Sequence, residues 1–224
     1  MKVIVVIPAF NEEKNIGRVV CGIKEIYNDF EIIVVDDGSG DKTAAAAVKN
    51  GAIVLRHLIN RGQGAALKTG TDYAIKIGAE IIVHFDADGQ FEPMDLAKMI
   101  APVALGKADV TLGSRFLNNS LIKQMPLSKR FFLLPLARLV NFFFTGLWLT
   151  DAHNGFRVLS ASAASKINIM HNGMAHNSEI IKEIKRLGFS FKEIGIAVYY
   201  KQYGQGVTGG LKIVRDLLIG RFLK

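Results

Sequence analysis

Short apolar runs alternate with helical segments through the first half of the sequence, and this alternation constrains the fold more than any other feature. The predicted strands are Val3–Ile7, Ile32–Val35, Ile53–Leu55, Ile81–Phe85 and Asp109–Leu112. The apolar runs Val3–Ile7 and Ile81–Phe85 are typical of strands that are buried on both faces. Strands separated by helices of about 10–15 residues form right-handed βαβ units. We therefore expect an α/β fold with a mostly parallel twisted sheet and helices on both faces.

Helix signals lie between and after these runs. Asn11 is a candidate cap for the first helix, with Glu12 and Glu13 in its first turn, and Asp41 is a candidate cap for the second. The expected helices lie between Asn11 and Ile26, Asp41 and Asn50, Gln63 and Ile77, Pro93 and Ile100, and Ser178 and Leu187. A sixth strand is expected at Ile194–Tyr200, followed by a glycine-rich loop at residues 204–210. Residues 151–157 are polar and turn-like, so no regular element is expected there.

The fourth apolar run ends in two carboxylates and an amide. Asp86, Asp88 and Gln90 follow Ile81–Phe85 directly, and Gly89 supplies the turn. The carboxyl ends of strands are where open α/β sheets bind ligands. Oxygen donors of this kind suit Mg²⁺ or Mn²⁺ that holds a phosphate. A turn stabilised by aspartate side chains is the alternative interpretation.

Two other predicted strands also end in polar clusters, at residues 8–12 and 36–39. Because parallel strand ends meet at one edge of a sheet, all three clusters can form one site. Asp37 and Glu12 are candidates to accept hydrogen bonds from a nucleobase or ribose. Glu12 can equally be an acid in the first turn of a helix, and Asp36 can be only a turn residue. The turn at residues 60–64 is similar to an anion nest but lacks the Gly-Lys-Ser/Thr ending of a P-loop.

Composition narrows the class of partner. The 224 residues are 50% hydrophobic and carry a formal net charge of +8, with a pI of about 9.6, which favours anionic partners. The basic residues mix with long aliphatics, which argues against a nucleic-acid-binding protein. A single cysteine, Cys21, excludes a disulfide within the chain. The first strand begins at Val3, so we expect no signal peptide and a cytoplasmic protein.

Six motifs in order resemble family 2 glycosyltransferases, and most closely the branch that transfers mannose or glucose to dolichyl or polyprenyl phosphate. They are Val-Ile-Pro-Ala-Phe-Asn-Glu-Glu (6–13), Val-Val-Asp-Asp-Gly-Ser-Gly-Asp (34–41), Asn-Arg-Gly-Gln-Gly-Ala-Ala-Leu-Lys-Thr-Gly (60–70), Asp-Ala-Asp-Gly-Gln (86–90), Gly-Ser-Arg-Phe (113–116) and Asp-Ala-His-Asn-Gly-Phe-Arg (151–157). The resemblance implies a GT-A fold, a nucleotide-sugar donor, a divalent cation and inversion at the anomeric carbon. It also implies a Rossmann-like nucleotide-binding half.

The resemblance implies roles for individual residues. The nucleotide-sugar would contact Pro8, Phe10, Glu12, Val35, Asp37, Asp86, Ala87 and Lys201. The metal would be held by Asp86, Asp88 and Gln90. The catalytic set would be Asp88, Arg115, Arg157 and Glu179, with Arg115 reaching the donor or acceptor phosphate. Glu179 would orient the acceptor, or would be only an acid in the first turn of a helix. A second basic residue of the branch falls on Val207, which weakens the expected phosphate clamp.

Two segments combine aromatic or aliphatic residues with basic ones. Residues 129–150 hold several phenylalanines around Lys129, Arg130 and Arg138, and residues 211–224 form an amphipathic pattern. We expect amphipathic interfacial helices on a membrane surface. A buried helix pair is the alternative for 129–150, and docking to a small membrane protein is the alternative for the tail.

The sequence therefore predicts one GT-A catalytic domain at residues 1–210, with a nucleotide-sugar half at 1–115 and an acceptor half at 116–210, followed by a helix at 211–224. The expected function is inverting, metal-dependent transfer from a GDP- or UDP-sugar to a polyprenyl or dolichyl phosphate. The protein is expected to be cytoplasmic and bound peripherally to the inner face of the cytoplasmic membrane. A soluble glycosyltransferase in cell-envelope polysaccharide synthesis is the alternative. A nucleotidyltransferase is the alternative from another class.

Overall fold

The computed structural model describes residues 1–117, 138, 139, 142, 143 and 145–198, and it contains a seven-stranded sheet. The strands are β1 Val3–Ala9, β2 Glu31–Asp36, β3 Ile53–Arg56, β4 Ile81–His84, β5 Val110–Ser114, β6 Arg157–Ser160 and β7 Phe191–Gly195. The helices in the described ranges are α1 Ile16–Ile26, α2 Thr43–Lys49, α3 Gln63–Lys76, α4 Asp95–Ala104, α5 Ala161–Lys166 and α6 His176–Arg186.

The strand order is β3-β2-β1-β4-β6-β5-β7. All neighbouring pairs are parallel except those made by β6, which runs antiparallel to both β4 and β5. The predicted mostly parallel α/β sheet is confirmed. The strand β6 was missed, because its four residues begin with a charged Arg157 and follow a segment rich in turn residues.

Side chains alternate between the two faces of the sheet and build one apolar layer on each. In β1, Val3, Val5 and Ile7 pack in the layer that also contains residues of α1, α2 and α4. The intervening Ile4 and Val6 pack in the layer that contains residues of α3, α5 and α6. This alternation follows from the two-residue period of a strand. The expectation of helices on both faces is confirmed.

The first helix begins later than expected. Asn11 does not cap it: its φ is 56°, and its Oδ1 accepts a hydrogen bond from the Gly40 amide at 3.0 Å. Asparagine tolerates this left-handed conformation better than most residues. Its side chain joins the ends of β1 and β2 instead, and α1 starts only at Ile16.

Other boundaries differ by smaller amounts. The helix expected from Pro93 covers Asp95–Ala104, and the one expected from Ser178 begins at His176. The strand expected at Ile194–Tyr200 is Phe191–Gly195, and residues 199 and 200 lie outside the described part. As an edge strand, β7 is only half-buried, so it lacks the continuous apolar run of the central strands. Among the helices described here, none is both long and apolar enough to cross a membrane.

Candidate active site

A cavity of about 420 Å³ lies at the carboxyl ends of β1, β2 and β4. The three polar clusters predicted from the sequence therefore meet at one edge of the sheet. The cavity is lined by Pro8, Ala9, Phe10, Glu12, Asp37, Asn60, Gly62, Gln63, Ala66, Asp86, Ala87, Asp88, His153, Gly155, Met174 and Asn177. Strand ends, the start of α3 and the segment before β6 each contribute a wall.

Asp37, a lining residue of the cavity, is held by the loop that follows β3. Its Oδ1 accepts hydrogen bonds from His57 Nδ1 at 2.6 Å and from the Arg61 amide at 2.9 Å. Its Oδ2 accepts one from the Gly62 amide at 2.6 Å. The turn at residues 60–64, which is similar to an anion nest in sequence, therefore binds the carboxylate of Asp37 through these two amides. Neighbouring Asp36 is buried and accepts from the Ser39 amide, which is a turn role.

The other residues expected to bind the nucleoside are distributed around Asp37. Pro8, Phe10 and Glu12 line the cavity, and Phe10 keeps 46% of its surface exposed. Glu12 precedes α1, and its Oε2 accepts a hydrogen bond from Asn15 Nδ2 at 2.7 Å. Val35 is fully buried within β2 and is not a lining residue. A direct contact between Val35 and a ligand therefore stays a prediction.

The acid pair, Asp86 and Asp88, also lines the cavity. Gln63 Nε2 donates to Asp86 Oδ1 at 3.1 Å, and the Gln90 amide donates to Asp88 Oδ1 at 2.9 Å. Burial, reinforced by the charge of Asp88, raises the pKa of Asp86 from 3.8 to about 6. The positive charges of Arg157 and Arg115 oppose this rise.

Gly155 approaches Asp86 so closely that a larger residue does not fit. A Cβ atom on Gly155 would lie 2.5 Å from Asp86 Oδ2 and 2.7 Å from Oδ1. The glycine of the segment before β6 therefore lets the backbone pass over the carboxylate. The two parts of the sequence that contain these residues are almost 70 positions apart, and the antiparallel pairing of β4 with β6 brings them together.

The acid pair fits a divalent cation in its chemistry. Mg²⁺ and Mn²⁺ bind through one or two carboxylates together with substrate phosphates and water. A cation would also favour the ionised form of Asp86, which burial and Asp88 oppose. In the described ranges, no group of three or more His, Cys, Asp or Glu side chains is arranged to hold a metal. The remaining ligands would come from the predicted Gln90 side chain, from substrate or from water.

Gln90 is placed differently from the two acids. It follows them in the same turn, but it is not a lining residue of the cavity. Its backbone amide orients Asp88. Metal ligation by the Gln90 side chain stays a prediction.

Arg115 lies directly after β5 and is oriented by Asp151. Its Nε donates to Asp151 Oδ2 at 2.7 Å, and its Nη2 donates to Oδ1 at 2.8 Å. Asp151 also accepts from the Arg115 amide at 3.1 Å, while Glu193 on β7 accepts from the amide and hydroxyl of Thr150. These bonds join the segment before β6 to β5 and β7.

Arg157, at the start of β6, is only 1% exposed. Its Nη2 donates to Asn177 Oδ1 at 2.5 Å, and Asn177 in turn lines the cavity. Burial lowers the pKa of Arg157 to about 10, against the attraction of Asp86 and Asp151. Arg157 is not a lining residue, so its influence on the cavity acts through its charge and through Asn177.

Glu179 anchors a loop that forms part of the cavity wall. Its Oε2 accepts the amides of Met170 at 3.0 Å and His171 at 2.9 Å. The same loop packs on the start of α3, where the Asn172 carbonyl accepts the Gly64 amide at 2.7 Å. The structure shows that Glu179 stabilises this loop of the cavity wall. Orientation of the acceptor by Glu179 stays a prediction.

Sequence reasoning missed several lining residues. Gln63, His153 and Gly155 lie inside the motifs at residues 60–70 and 151–157. Their presence in these motifs could have identified them as candidate site residues. Met174 and Asn177 belong to the loop before α6 and to its first turn, where no pattern marked them. Burial lowers the pKa of His153, which favours its neutral form.

An exposed aromatic cluster lies outside the cavity. The ring centroids of Phe142 and Phe143 are 6.2 Å apart, and those of Phe142 and Trp148 are 5.8 Å apart. Phe143 and Trp148 are 77% and 59% exposed. Lys201, Val207 and the tail 211–224 fall outside the described residues, as does most of the segment 129–150.

A family model for glycosyl transferase family 2 matches residues 4–167. A 40% identical relative, covering 97% of this chain and 91% of its own, is an uncharacterised protein of Methanocaldococcus jannaschii. The UDP-N-acetylglucosamine–dolichyl-phosphate N-acetylglucosaminyltransferase of Methanococcus voltae is 33% identical, over 96% of this chain and 94% of its own. Polyprenol monophosphomannose synthase of Mycolicibacterium smegmatis is 27% identical, over 95% and 83%.

Among solved structures, glucosyl-3-phosphoglycerate synthase from Mycobacterium tuberculosis is similar in fold, with a TM-score of 0.70 and 19% identity. The match covers 97% of this chain and 78% of that one. That structure is a complex with Mn²⁺ and UDP-glucose. The architecture described above is thus that of a GT-A glycosyltransferase.

Proposed function

The chain belongs to glycosyl transferase family 2, and we propose that it is an inverting, metal-dependent enzyme that moves a sugar from a UDP- or GDP-sugar to a polyprenyl or dolichyl phosphate. The cavity is the observation that carries this proposal. Asp37, Asp86 and Asp88 all line it, so one ligand bound there can contact all three. A nucleoside diphosphate has the matching chemistry: hydrogen-bond donors on its base and ribose, and a charged diphosphate.

In this proposal, Asp37 and Glu12 bind the nucleoside, with Pro8 and Phe10 as apolar walls. Asp86, Ala87 and Asp88 border the diphosphate, and Asp86, Asp88 and Gln90 would hold Mg²⁺ or Mn²⁺. A divalent cation bound there would stabilise the negative charge that develops on the departing nucleoside diphosphate. Mn²⁺ in the structural neighbour supports this assignment.

The acceptor side of the reaction is assigned to Arg115. The oxyanion of a lipid phosphate is already a nucleophile, so a strong general base is less necessary than for a hydroxyl acceptor. An arginine that aligns the phosphate for in-line attack then becomes important. Arg115 is oriented by Asp151, and the buried charge of Arg157 adds to the positive potential around the acid pair. Glu179 would contribute through the wall loop that it anchors.

Relatives support the class of acceptor. The name of one relative specifies dolichyl phosphate and N-acetylglucosamine. The name of another specifies polyprenol monophosphomannose as the product. The sugars of these two relatives therefore differ. The aromatic cluster formed by Phe142, Phe143 and Trp148 is consistent with contact to a membrane surface, because such rings favour the headgroup boundary. We therefore propose a peripheral protein on the inner face of the cytoplasmic membrane.

The proposed organisation is one catalytic domain at residues 1–210. Its first half, 1–115, would bind the nucleotide-sugar, and its second half, 116–210, would bind the acceptor, with Lys201 near the diphosphate. The amphipathic segment 211–224 would lie on the membrane or on a small membrane protein.

A transfer assay tests the proposed function. Purified protein is incubated with radiolabelled UDP- and GDP-sugars, polyprenyl phosphate and MnCl₂, and the lipid product is extracted and counted. We expect product with at least one donor, loss of product in excess EDTA, and an inverted anomeric configuration by NMR. Product that persists in EDTA would contradict metal dependence, and transfer only to water-soluble acceptors would contradict the lipid acceptor.

The matched variants are Asp88→Asn and Asp72→Asn. Asp72 lies in α3, pairs with Lys68 on the surface and is remote from the cavity lining. We expect Asp88→Asn to abolish transfer with an unchanged circular dichroism spectrum, and Asp72→Asn to retain it. Normal turnover by Asp88→Asn would remove the role assigned to the acid pair.

A further inference from the structure

A chain of hydrogen bonds runs from the cavity into the protein through His57. Asp37 Oδ1 is 2.6 Å from His57 Nδ1, and His57 Nε2 is 2.9 Å from Thr69 Oγ1 on α3. The side chains of His57 and Asp37 are 8% and 4% exposed. Carboxylate, imidazole and hydroxyl therefore form one ordered and largely buried unit beside the cavity.

The Asp37 carboxylate fixes the proton on the nearer ring nitrogen of His57. An ionised carboxylate only accepts hydrogen bonds, so His57 Nδ1 must carry a proton and donate it to Asp37. The Thr69 hydroxyl can donate to Nε2 or accept from it, so it keeps its hydrogen bond to the ring in either case. Thr69 therefore helps to hold the His57 ring in the orientation that presents Nδ1 to Asp37.

The bonds to Asp37 from the described residues use three of its acceptor positions. A carboxylate offers about four acceptor positions. Two on Oδ1 are taken by His57 and the Arg61 amide, and one on Oδ2 by the Gly62 amide. Within the described part of the chain, the fourth position, on Oδ2, is not used by another protein group, and Asp37 lines the cavity. One ligand N–H or O–H can bind there.

The loop that carries His57 is closely packed at two points. A Cβ atom on Gly38 would lie 2.6 Å from the Ile59 carbonyl carbon, and one on Gly62 would lie 2.4 Å from the Asn172 carbonyl oxygen. Gly62 also has a φ of +100°, which disfavours any other residue. The geometry of Asp37 thus depends on a loop with little room to readjust.

We propose that His57 is a positioning residue for donor recognition, which holds Asp37 so that Oδ2 faces one N–H or O–H of the nucleoside, with Thr69 holding the His57 ring in place. This inference rests on the proposed function, in which Asp37 binds the nucleoside. It extends that function to two residues that do not line the cavity themselves.

Calorimetric titration of the purified full chain with UDP and with GDP, each in saturating MnCl₂, tests the inference. We expect His57→Leu to weaken the diphosphate that the wild type prefers by about tenfold, the effect of one ordinary hydrogen bond. His57→Asn should stay within about threefold, since its amide nitrogen can replace Nδ1 as the donor. In transfer assays, His57→Leu should raise KM for the donor and leave kcat nearly unchanged.

Inorganic pyrophosphate with MnCl₂ separates positioning from general damage, because it has no nucleoside to contact Asp37. We expect its affinity to be the same in the wild type and in His57→Leu. Unchanged nucleotide affinity in His57→Leu, or an equal loss of pyrophosphate affinity, would overturn the inference alone. A wild type that binds pyrophosphate but neither UDP nor GDP would overturn the proposed function as well.

Thr69 supplies a second pair of variants, which decides the question if His57→Leu does not fold. Thr69→Ser keeps the hydroxyl donor, whereas Thr69→Val removes it at nearly constant volume. We expect Thr69→Val to weaken nucleotide binding, with pyrophosphate affinity unchanged, and to shift the ¹⁵N NMR signal of His57 Nε2, which loses its hydrogen bond. Thr69→Ser should do neither. Equal nucleotide affinity in the two variants would overturn the inference.

Discussion

Arg115 and Asp151 form a two-point ion pair, with 2.7 Å between Nε and Oδ2 and 2.8 Å between Nη2 and Oδ1. The Asp151 side chain is 2% exposed and that of Arg115 is 28% exposed. Paired hydrogen bonds of this kind fix the plane of a guanidinium as well as its position. Asp151, the first residue of the Asp-Ala-His-Asn-Gly-Phe-Arg motif, thus orients Arg115 of the Gly-Ser-Arg-Phe motif.

Replacing Asp151 tests this coupling. We expect Asp151→Asn to raise KM for the lipid phosphate, because Arg115 loses its fixed orientation, and to leave the affinity for the nucleoside diphosphate unchanged. Stability should fall by about 2 kcal/mol, since a buried charge-assisted pair is broken. Steady-state kinetics in both substrates and urea unfolding measure the two effects. A higher donor KM with a normal acceptor KM would place Arg115 on the donor instead.

We expect Gly155 to be required for the position of the Asp86 carboxylate and not for folding. In Gly155→Ala, the new methyl group would displace the Asp86 carboxylate, since the Cβ would lie only 2.5 Å from Oδ2. We expect loss of Mn²⁺-dependent nucleotide binding in calorimetry. Gly173→Ala is the matched control, because a Cβ there has no neighbour within 4 Å. Similar binding by the two variants would contradict the contact.

The raised pKa of Asp86 predicts a stability change with a definite sign. Because the folded protein raises this pKa from 3.8 to about 6, ionising Asp86 costs folding free energy. The contribution of Asp86 is therefore most favourable below pH 4 and is lost as the pH rises through 6. Asp86→Asn mimics the protonated acid, so it should stabilise the metal-free protein by roughly 2–3 kcal/mol at pH 7.5.

Urea unfolding of the wild type and of Asp86→Asn in EDTA, at pH 7.5 and at pH 4, measures this difference. The gain should nearly vanish at pH 4, where the wild-type acid is itself protonated. The same variant should not bind Mn²⁺ with nucleotide. A variant that is less stable than the wild type at pH 7.5 would show that Asp86 is stabilised by its positive neighbours more than burial opposes it.

The aromatic cluster predicts membrane affinity. Phe143 is 77% exposed, and burying such a ring in the headgroup region contributes favourable transfer free energy. We expect Phe143→Ser to weaken partition onto anionic liposomes by about tenfold in sedimentation assays. Leu105→Ser is the control, because Leu105 is 65% exposed at the end of α4 and is not part of the aromatic cluster. Equal effects of the two substitutions on liposome binding would argue against the aromatic cluster as the membrane-binding surface.

Much of the fold was predictable because the central strands carry a strong local signal. Residues 3–7, 32–35 and 81–85 are apolar at nearly every position, and each is a buried strand. The antiparallel β6 was not predictable, because its residues Arg157–Ser160 are stabilised by pairing with β4 and β5 rather than by a pattern of their own. Asn11 was misassigned because its side chain bonds to a residue 29 positions away.

The sequence by itself determined the α/β class, the family and the identity of the acid pair, because strand periodicity and short motifs are local properties. Only the tertiary structure decided which groups surround those acids. Insertion of β6 beside β4 brings Gly155 against Asp86. The loop after β3 places His57 on Asp37, and the segment before β6 pairs Asp151 with Arg115. These contacts join residues distant in the chain, and chain-distant pairing follows from packing rather than from any local pattern.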